Sequence, residues 1–271
     1  MSPKYCALLV AIAISAMASH VDAGTLYTIR DDNNRLTSID TNTLVFTDIG
    51  STGIFSGDFG GLAYKAATDT LYWLPGRDNN NLYTLNRSTG TATLVGSHGI
   101  PDLFGLEYVA ATDTLYATQF SGGSGLFTLD QSNGTATTIT SAMSNGISGL
   151  AYDTTRAMLV GVQIGFADTA LYDINPTNGA QTLLFDGGSL NASGLAYDPD
   201  LDTFWAIDWS SDLYRFDPQA GYALTTILDT DTFPYDGLAY VGTFSVPGPA
   251  TLALIGMGLA GLGFSRRKRA A

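Results

Sequence analysis

The chain has 271 residues, of which 45% are hydrophobic, 14% are charged and 31 are glycines, and its formal net charge is −13. A globular chain usually carries about 25% charged residues, so uncharged polar residues and glycine must cover much of this surface. Residues 24–245 contain 24 of the 25 acidic residues but only seven of the 12 basic ones. Such an acidic body repels phosphate backbones, which argues against nucleic-acid binding.

The first 23 residues predict a secretory signal peptide. Lys4 provides a positive start, an apolar run extends from Cys6 to Ile14, and small residues lead to Ala23, after which we place the cleavage. Ala18 is the second choice for the cleavage site. An uncleaved anchor or a buried helix is the alternative, but the apolar run is short for a bilayer span. Cleavage would remove the single cysteine, so the mature domain would form no disulfide.

A four-residue phrase, Gly-Leu-Ala-Tyr, recurs along the chain at intervals of 43 to 45 residues. Its five copies begin at Gly61, Gly105, Gly149, Gly194 and Gly237. A period of this length indicates a repeat architecture, in which each unit buries its apolar face against its neighbours.

Each repeat contains four short strand patterns separated by turn signals. In the first repeat, the strands are predicted at 61–64, 70–74, 82–85 and 91–95. Four short strands in a repeat of about 40–45 residues are typical of a β-propeller blade. The turn before each fourth strand ends in a glycine, such as Gly90, and we expect a positive φ there.

The two ends of the repeat region complement each other. Residues 25–51 have three strand patterns, at 26–29, 35–39 and 44–47, but no Gly-Leu-Ala-Tyr, whereas the fifth copy of the phrase stands alone. We therefore predict that the last strand pairs with the first three, which closes an all-β, five-bladed propeller within residues 24–245 and removes free sheet edges. A sixth blade has no sequence to form it, and an open β-solenoid is the structural alternative. These repeats resemble those of bacterial β-propellers, a likeness of fold that implies no activity.

Residues 246–271 predict a C-terminal transmembrane helix between a proline motif and a basic cluster. The motif is Val246-Pro247-Gly248-Pro249, the apolar run is 250–264, and the cluster is Arg266-Arg267-Lys268-Arg269. The uncharged stretch 246–264 matches about one hydrocarbon thickness of helix, and the basic cluster would remain in the cytoplasm. A buried hydrophobic helix is the alternative, but it does not explain four consecutive bases.

This tail resembles the PEP-CTERM sorting signal of exported bacterial proteins. The pattern of that family is Val-Pro-Glu-Pro, a transmembrane segment and an Arg-rich end, and Gly248 stands here where Glu is usual. The resemblance implies cleavage near residues 246–249 by an exosortase, a membrane protease similar to a transpeptidase. It also implies a Gram-negative host that makes exopolysaccharide, and a final location at the cell surface or in the matrix.

Two groups of acidic and aromatic residues are candidates for binding sites. The acids of residues 198–202 could offer oxygens to Ca²⁺, but this stretch aligns with the predicted turns at 65–69 and 109–113. Trp73 and Trp205 are assigned to one repeat position and therefore to packing between blades. Trp209, which lies near Asp208 and Asp212, departs from the repeat and is the one tryptophan with a pattern that suits a sugar ligand.

Two further residues, His98 and Glu107, are candidates for functional sites. His98 lies in a Gly- and Ser-rich loop, where we expect a solvated side chain, and one histidine alone cannot form a typical His-based metal site. Glu107 is the only glutamate of the chain and replaces alanine in the second copy of the phrase. It lies in a predicted innermost strand and is expected to face the central channel. No catalytic, cofactor or metal site is predicted from these residues.

The sequence therefore predicts an exported, non-enzymatic binding or scaffold protein, with a polysaccharide or another surface protein as its partner. The expected processing enzyme is an exosortase, and no cofactor is expected. A propeller hydrolase or lyase with a metal such as Ca²⁺ in the central channel is the alternative function. A purely structural role without a ligand is the third.

Overall fold

The computed structural model describes residues 24–55, 59–120, 124–163, 169–188, 190–228 and 233–242. The predicted signal peptide, at residues 1–23, lies outside the described residues. So does the predicted sorting tail, including Val246–Pro249, the membrane helix and Arg266–Arg269.

The described residues form twenty β-strands and two short 3₁₀ helices, at Ala66–Thr68 and Pro218–Ala220. The first three strands are β1 (Thr25–Arg30), β2 (Arg35–Asp40) and β3 (Phe46–Ser51). Blade 1 contains β4 (Gly61–Lys65), β5 (Thr70–Leu74), β6 (Asn81–Leu85) and β7 (Ala92–Ser97). Blade 2 contains β8 (Leu103–Val109), β9 (Thr114–Gln119), β10 (Leu126–Leu129) and β11 (Ala136–Thr140). Blade 3 contains β12 (Gly149–Asp153), β13 (Met158–Gln163), β14 (Ala170–Ile174) and β15 (Gln181–Asp186). Blade 4 contains β16 (Ala192–Asp198), β17 (Thr203–Asp208), β18 (Leu213–Asp217) and β19 (Ala223–Leu228).

The last strand, β20 (Tyr235–Val241), completes a fifth sheet with β1, β2 and β3, which we call the closing blade. Strands β20 and β1 are antiparallel, with Val241 opposite Thr25 and Tyr235 opposite Arg30. This pairing confirms the predicted all-β, five-bladed propeller and the way in which it closes.

Both predicted bounds of the third strand in the closing blade were wrong, and the strand ends at Ser51 instead of residue 47. Strand β3 begins at Phe46, two residues later than expected. The reason is a turn after β2, in which the Asp40 carboxylate accepts hydrogen bonds from the amides of Asn42 and Thr43. The turn ends at Leu44, which has a φ of 58° and so cannot extend the strand.

The leucine of each Gly-Leu-Ala-Tyr phrase explains how the blades hold together. Five separate hydrophobic clusters are found among the described residues, one for each contact between neighbouring blades. The five leucines each belong to a different cluster and are each 1% exposed; they are Leu62, Leu106, Leu150, Leu195 and Leu238. Burying such a side chain contributes roughly 1.5–3 kcal/mol, so one repeated position stabilises every contact between blades.

The glycine of the phrase allows the inner strands to approach each other closely. A Cβ atom at Gly194 would lie 2.6 Å from the carbonyl carbon of Gly237, and one at Gly61 would lie 2.2 Å from the carbonyl oxygen of Phe104. Real Cβ atoms do not make such contacts, so these positions require glycine. The Gly-Leu layer consequently fills the central channel and leaves no volume, about 0 Å³, for a water molecule.

The tyrosine of the phrase anchors the turn that follows it. The hydroxyl groups of Tyr64, Tyr108 and Tyr197 each lie 2.7–2.8 Å from an oxygen of the aspartate five residues later, and those aspartates are Asp69, Asp113 and Asp202. All three aspartates have φ near +50°, a region that aspartate tolerates better than most residues. We call the side of the ring with these turns the lower face, and the opposite side the upper face.

Ion pairs on the lower face join neighbouring blades. Lys65 of blade 1 lies 2.7 Å from the carboxylate of Asp113 in blade 2. The Lys65 ammonium, together with hydroxyl and amide donors, lowers the pKa of Asp113 to about 2. Arg156 of blade 3 bridges Asp153, at 2.8 Å, and Asp202 of blade 4, at 2.7 Å.

The predicted equivalence of Trp73 and Trp205 was wrong. Trp73 is opposite Leu62 in its ladder, whereas Trp205 is opposite Ala196. The two tryptophans therefore lie one repeat position apart, and side chains of successive strand residues point to opposite faces of a sheet. Both are buried, and both belong to clusters shared with the closing blade, Trp73 from blade 1 and Trp205 from blade 4. Their predicted role in packing between blades agrees with this burial.

Candidate functional site

At the upper end of the channel, residues that directly precede the inner glycines form hydrogen bonds between neighbouring inner strands. The residues at this position are Gly60, Phe104, Ser148, Ser193 and Asp236. The Ser148 hydroxyl donates a hydrogen bond of 2.7 Å to the carbonyl oxygen of Ala192 in the next blade. The Ser193 hydroxyl donates one of 2.6 Å to the carbonyl oxygen of Tyr235. Each serine thus satisfies a carbonyl of the neighbouring inner strand.

Asp236 occupies the same position in the closing blade but accepts hydrogen bonds from its neighbour. The amides of Phe59 and Gly60 in the following segment donate to its carboxylate. The side chain is 1% exposed, and it also forms a hydrogen bond with the carboxyl group of Asp31. Burial raises the pKa of Asp236 well above its usual range, and the neighbouring carboxyl of Asp31 raises it further.

Four aromatic rings form a chain of contacts next to this position, and we call them the upper aromatic cluster: Phe59, Phe104, Phe120 and Trp209. The ring centroids of Phe59 and Trp209 are 4.2 Å apart in an edge-to-face arrangement, and those of Phe104 and Phe120 are 5.4 Å apart and stacked. Phe59 has a φ of 61°, a costly conformation for a bulky residue. In this conformation, the amide of Phe59 donates a hydrogen bond to Asp236 and its ring contacts Trp209.

The upper face presents part of this aromatic surface to solvent. Trp209 and Phe120 are half-buried, and the exposed Arg77 places its guanidinium 5.3 Å from the centroid of the Phe59 ring. Phe55, in the loop before the inner strand of blade 1, is 79% exposed. Phe233 is 38% exposed and lies beneath the guanidinium of Arg30 at 3.3 Å. Aromatic rings with adjacent arginines are thus available to a ligand at this face.

Trp209 is therefore part of a cluster, whereas the two acids beside it support a turn. The Asp208 carboxylate accepts hydrogen bonds of 2.9 Å from the amides of Ser210 and Asp212. It also accepts one of 3.1 Å from the Tyr214 hydroxyl. Burial raises the pKa of Asp208. These contacts hold the connection between β17 and β18 and so fix the position of Trp209.

The acids of residues 198–202 have separate structural partners, as a turn requires. Asp198 accepts hydrogen bonds from the amide of Asp200, at 3.0 Å, and from Nε1 of Trp205, at 3.2 Å. Asp200 accepts one from the Tyr240 hydroxyl, while Asp202 binds Arg156. No group of three or more metal-ligating side chains occurs in the part of the chain that the structure describes.

The expectation for His98 was wrong, because this side chain is buried rather than solvated. It is 7% exposed, and its Nδ1 atom accepts a hydrogen bond of 3.3 Å from the amide of Ile100. Burial lowers its pKa to about 4, so the imidazole is neutral at pH 7. The amide of His98 bonds to the carbonyl oxygen of Asn80, which draws the loop onto the blade.

Glu107 lies in the innermost strand of blade 2, as predicted, on the lower side of the glycine layer. It is partly exposed and accepts a hydrogen bond from the amide of Tyr152 in the next inner strand. Burial raises its pKa to about 8. The upper aromatic cluster and Glu107 therefore lie on opposite sides of a filled channel.

Sequence reasoning missed most residues of the upper face. It selected Trp209 but not Phe59, Phe104, Asp31 or Asp236. A comparison of the residues before each inner glycine would have shown that Phe104 and Asp236 differ from the two serines. The contacts of Phe59 and Asp31 depend on loops that follow no repeat, so the repeat pattern contained no comparable signal for them.

Residues 245–268 match the PEP-CTERM protein-sorting motif. The chain carries this sorting signal. The match confirms the resemblance seen in the tail and includes the proline motif at 246–249 and the first three bases of the terminal cluster. The motif implies export, membrane-associated sorting and processing by an exosortase-type enzyme.

Solved structures support the fold at low sequence identity. A crystal structure of a nidogen/laminin complex matches with a TM-score of 0.57 and 14% identity, over 80% of each chain. The PQQ-bound aldose sugar dehydrogenase of Streptomyces coelicolor matches with a TM-score of 0.50 and 17% identity, over 79% of this chain and 81% of the other. A gluconolactonase of Xanthomonas campestris also has a TM-score of 0.50 and 17% identity, over 67% and 66%. At such identities the likeness establishes the propeller fold alone.

No curated protein shows significant similarity to the chain. Within the described residues, no helix has the length and apolar character needed to cross a membrane.

Proposed function

We propose that the protein is an exported, non-enzymatic binding domain of the cell surface or extracellular matrix, and that its upper face binds polysaccharide. The upper aromatic cluster is the observation that carries this proposal. Half-buried Trp209 and Phe120 offer ring faces for stacking against sugars, and Arg77 offers hydrogen-bond donors. The sorting signal supports an exported location in which such ligands occur.

The filled channel argues against the alternative of a hydrolase or lyase with a channel metal. Propeller enzymes occur among the structural neighbours, but a catalytic site needs a cavity that admits a substrate. Here, the glycines and leucines of all five blades fill the channel centre, with about 0 Å³ left for water. The centre of the channel therefore offers no room for a substrate or for a catalytic water molecule.

Tryptophan fluorescence offers a direct test of the proposal. Trp73 and Trp205 are 1% and 2% exposed, whereas Trp209 is half-buried on the upper face. Titrating the full-length chain with exopolysaccharide purified from its host should therefore change the emission of Trp209 mainly. Replacing Trp209→Ala should weaken the polysaccharide affinity about tenfold or more, the cost of losing a central aromatic contact.

Leu183→Ala is a matched control, since Leu183 is 52% exposed on the outermost strand of blade 3. Its affinity should equal that of the original chain. Equal affinity in Trp209→Ala would exclude the upper aromatic cluster as the binding site. Release of new reducing ends from the polysaccharide would instead support the enzymatic alternative.

A further inference from the structure

Arg77 differs from most bases of the propeller because it forms no ion pair with any described residue. Residues 24–245 contain seven bases and 24 acids, and five of the bases are ion-paired: Arg30, Arg35, Lys65, Arg87 and Arg156. Arg215 lies over the ring of Trp205, and its Nε atom is 3.5 Å from the Thr203 hydroxyl. Arg77 is therefore an exposed base whose charge the described residues leave unbalanced, despite the large excess of acids.

Aromatic rings nevertheless hold the guanidinium of Arg77 in place. It lies 5.3 Å from the ring centroid of Phe59 and 5.9 Å from that of Phe104. Cation–π contacts of this length orient the side chain but leave its N–H donors available to a ligand. Phe59 also contacts the ring of Trp209, with 4.2 Å between the ring centroids. The guanidinium and the half-buried indole are therefore close enough for one short oligosaccharide to touch both.

A ligand that covers the upper aromatic cluster must also remove water from Arg77. A neutral sugar can offer hydroxyl oxygens to the guanidinium, but it leaves the positive charge uncompensated, which is costly. A carboxylate matches the planar guanidinium with two parallel charge-assisted hydrogen bonds, each about twice as strong as a neutral one. An acidic sugar should therefore bind here more tightly than a neutral sugar of the same shape.

We infer that Arg77 selects a sugar that carries a carboxylate, such as a uronic acid, on the upper face. Arg77 binds the carboxylate, and Trp209 stacks against a ring of the same oligosaccharide. This inference rests on the proposed binding of polysaccharide, and it specifies the chemical class of the ligand and the residue that recognises it.

The excess of acids restricts how closely the carboxylates of the ligand can be spaced. DNA carries about one charge per 1.7 Å of its axis and is repelled along its whole length. Carboxylates separated by several neutral sugars meet much less repulsion, because physiological salt screens exposed charges more than about 8 Å apart. The ligand that fits the upper face is therefore a polysaccharide with widely spaced carboxylates.

Carboxyl reduction of the host exopolysaccharide tests the role of the charge. Carbodiimide activation followed by borohydride converts each sugar carboxyl into a neutral hydroxymethyl group. Isothermal titration calorimetry of the full-length chain at physiological salt should show about tenfold weaker binding of the reduced polymer than of the native polymer. Arg77→Gln should bind the native polymer about tenfold more weakly than the original chain does, and it should no longer distinguish the two polymers.

Two variants serve as controls for this experiment. Arg87→Gln also removes one positive charge, but on the lower face, where Arg87 is paired with Asp69. It should bind the native polymer as tightly as the original chain. Arg77→Lys keeps the charge but loses the planar guanidinium, so its affinity should lie between those of Arg77→Gln and the original chain.

The possible failures are distinguishable. Equal affinity of the original chain for both polymers would overturn the selection of acidic sugars but not the proposed binding of polysaccharide. An equal loss of affinity for both polymers in Arg77→Gln would overturn it as well, because Arg77 would then bind hydroxyl groups. Absence of any binding to the native polymer would overturn both this inference and the proposed function.

Discussion

Glu107 makes the stability of the ring depend on pH. The equivalent residue in each of the other four repeats is alanine. The Glu107 carboxyl lies between two inner strands and accepts a hydrogen bond from the amide of Tyr152. Burial raises its pKa from 4.5 to about 8. The folded protein therefore retains a proton that the unfolded chain releases. The stabilisation is complete below pH 4.5 and is lost as pH rises towards 8.

Replacing Glu107→Gln isolates this effect, because glutamine keeps the side-chain shape and an acceptor oxygen but does not titrate. With a pKa of about 8 in the folded state, the original chain should lose about 3 kcal/mol of its free energy of unfolding between pH 4 and pH 7. Glu107 retains some contact with solvent, so we expect about 1–3 kcal/mol. The variant should therefore gain stability relative to the original chain by this amount over that pH range.

Urea unfolding of both full-length chains at pH 4.5, 6, 7 and 8 measures the difference. The difference between the free energies of unfolding of the two chains cancels the contributions of other titratable groups. One such group is Asp208, because burial raises its pKa as well. Asp78→Asn, the exposed charge control, should give a curve parallel to that of the original chain. Parallel curves for Glu107→Gln and the original chain between pH 5 and 8 would refute the reasoning.

Three further predictions follow from the contacts between blades. Gly194→Ala would place a methyl group 2.6 Å from the backbone of the next inner strand and should lower the free energy of unfolding by about 1–3 kcal/mol in urea melts. Arg156→Met would leave the fully buried Asp153 without its ion pair and should cost about 1–3 kcal/mol, whereas Arg35→Met, which removes an exposed pair, should cost no more than about 1 kcal/mol. A chain that stops before Tyr235 lacks β20 and should lose cooperative thermal unfolding by circular dichroism, whereas a chain that ends after β20 should retain it. Wild-type stability in Gly194→Ala, in Arg156→Met or in the chain without β20 would contradict the corresponding prediction.

The repeat made the fold predictable because each residue of Gly-Leu-Ala-Tyr has a separate physical task. Glycine permits the close approach of inner strands, leucine fills a contact between blades, and tyrosine holds the following turn. The predicted positive φ at the end of the turn before a fourth strand is confirmed, for example 80° at Gly90 and 76° at Gly134. The same pattern also predicted the closure, because the first and last fragments together contain one complete set of strands.

The candidate site was less predictable because it consists of departures from the repeat in loops. His98 appeared to lie in a solvated loop because glycine and serine surround it, yet backbone hydrogen bonds to Asn80 fold that loop onto the blade. Trp73 and Trp205 were assigned to one repeat position, although Trp73 is the fourth residue of β5 and Trp205 is the third residue of β17. The strand pairing shows the same difference of one position. Asp31 and Asp236 come together only when the ring closes, so neither local pattern nor period indicated their proximity.

The pairing of β20 with β1 also determines how the ring would carry a mechanical load. Strand β20 runs from the upper face at Tyr235 to the lower face at Val241, where it lies opposite Thr25. A pull on the chain beyond Gly242, directed away from the lower face, would act along the axis of β20. The hydrogen bonds between β20 and β1 would then bear the force together, in shear, instead of opening one after another.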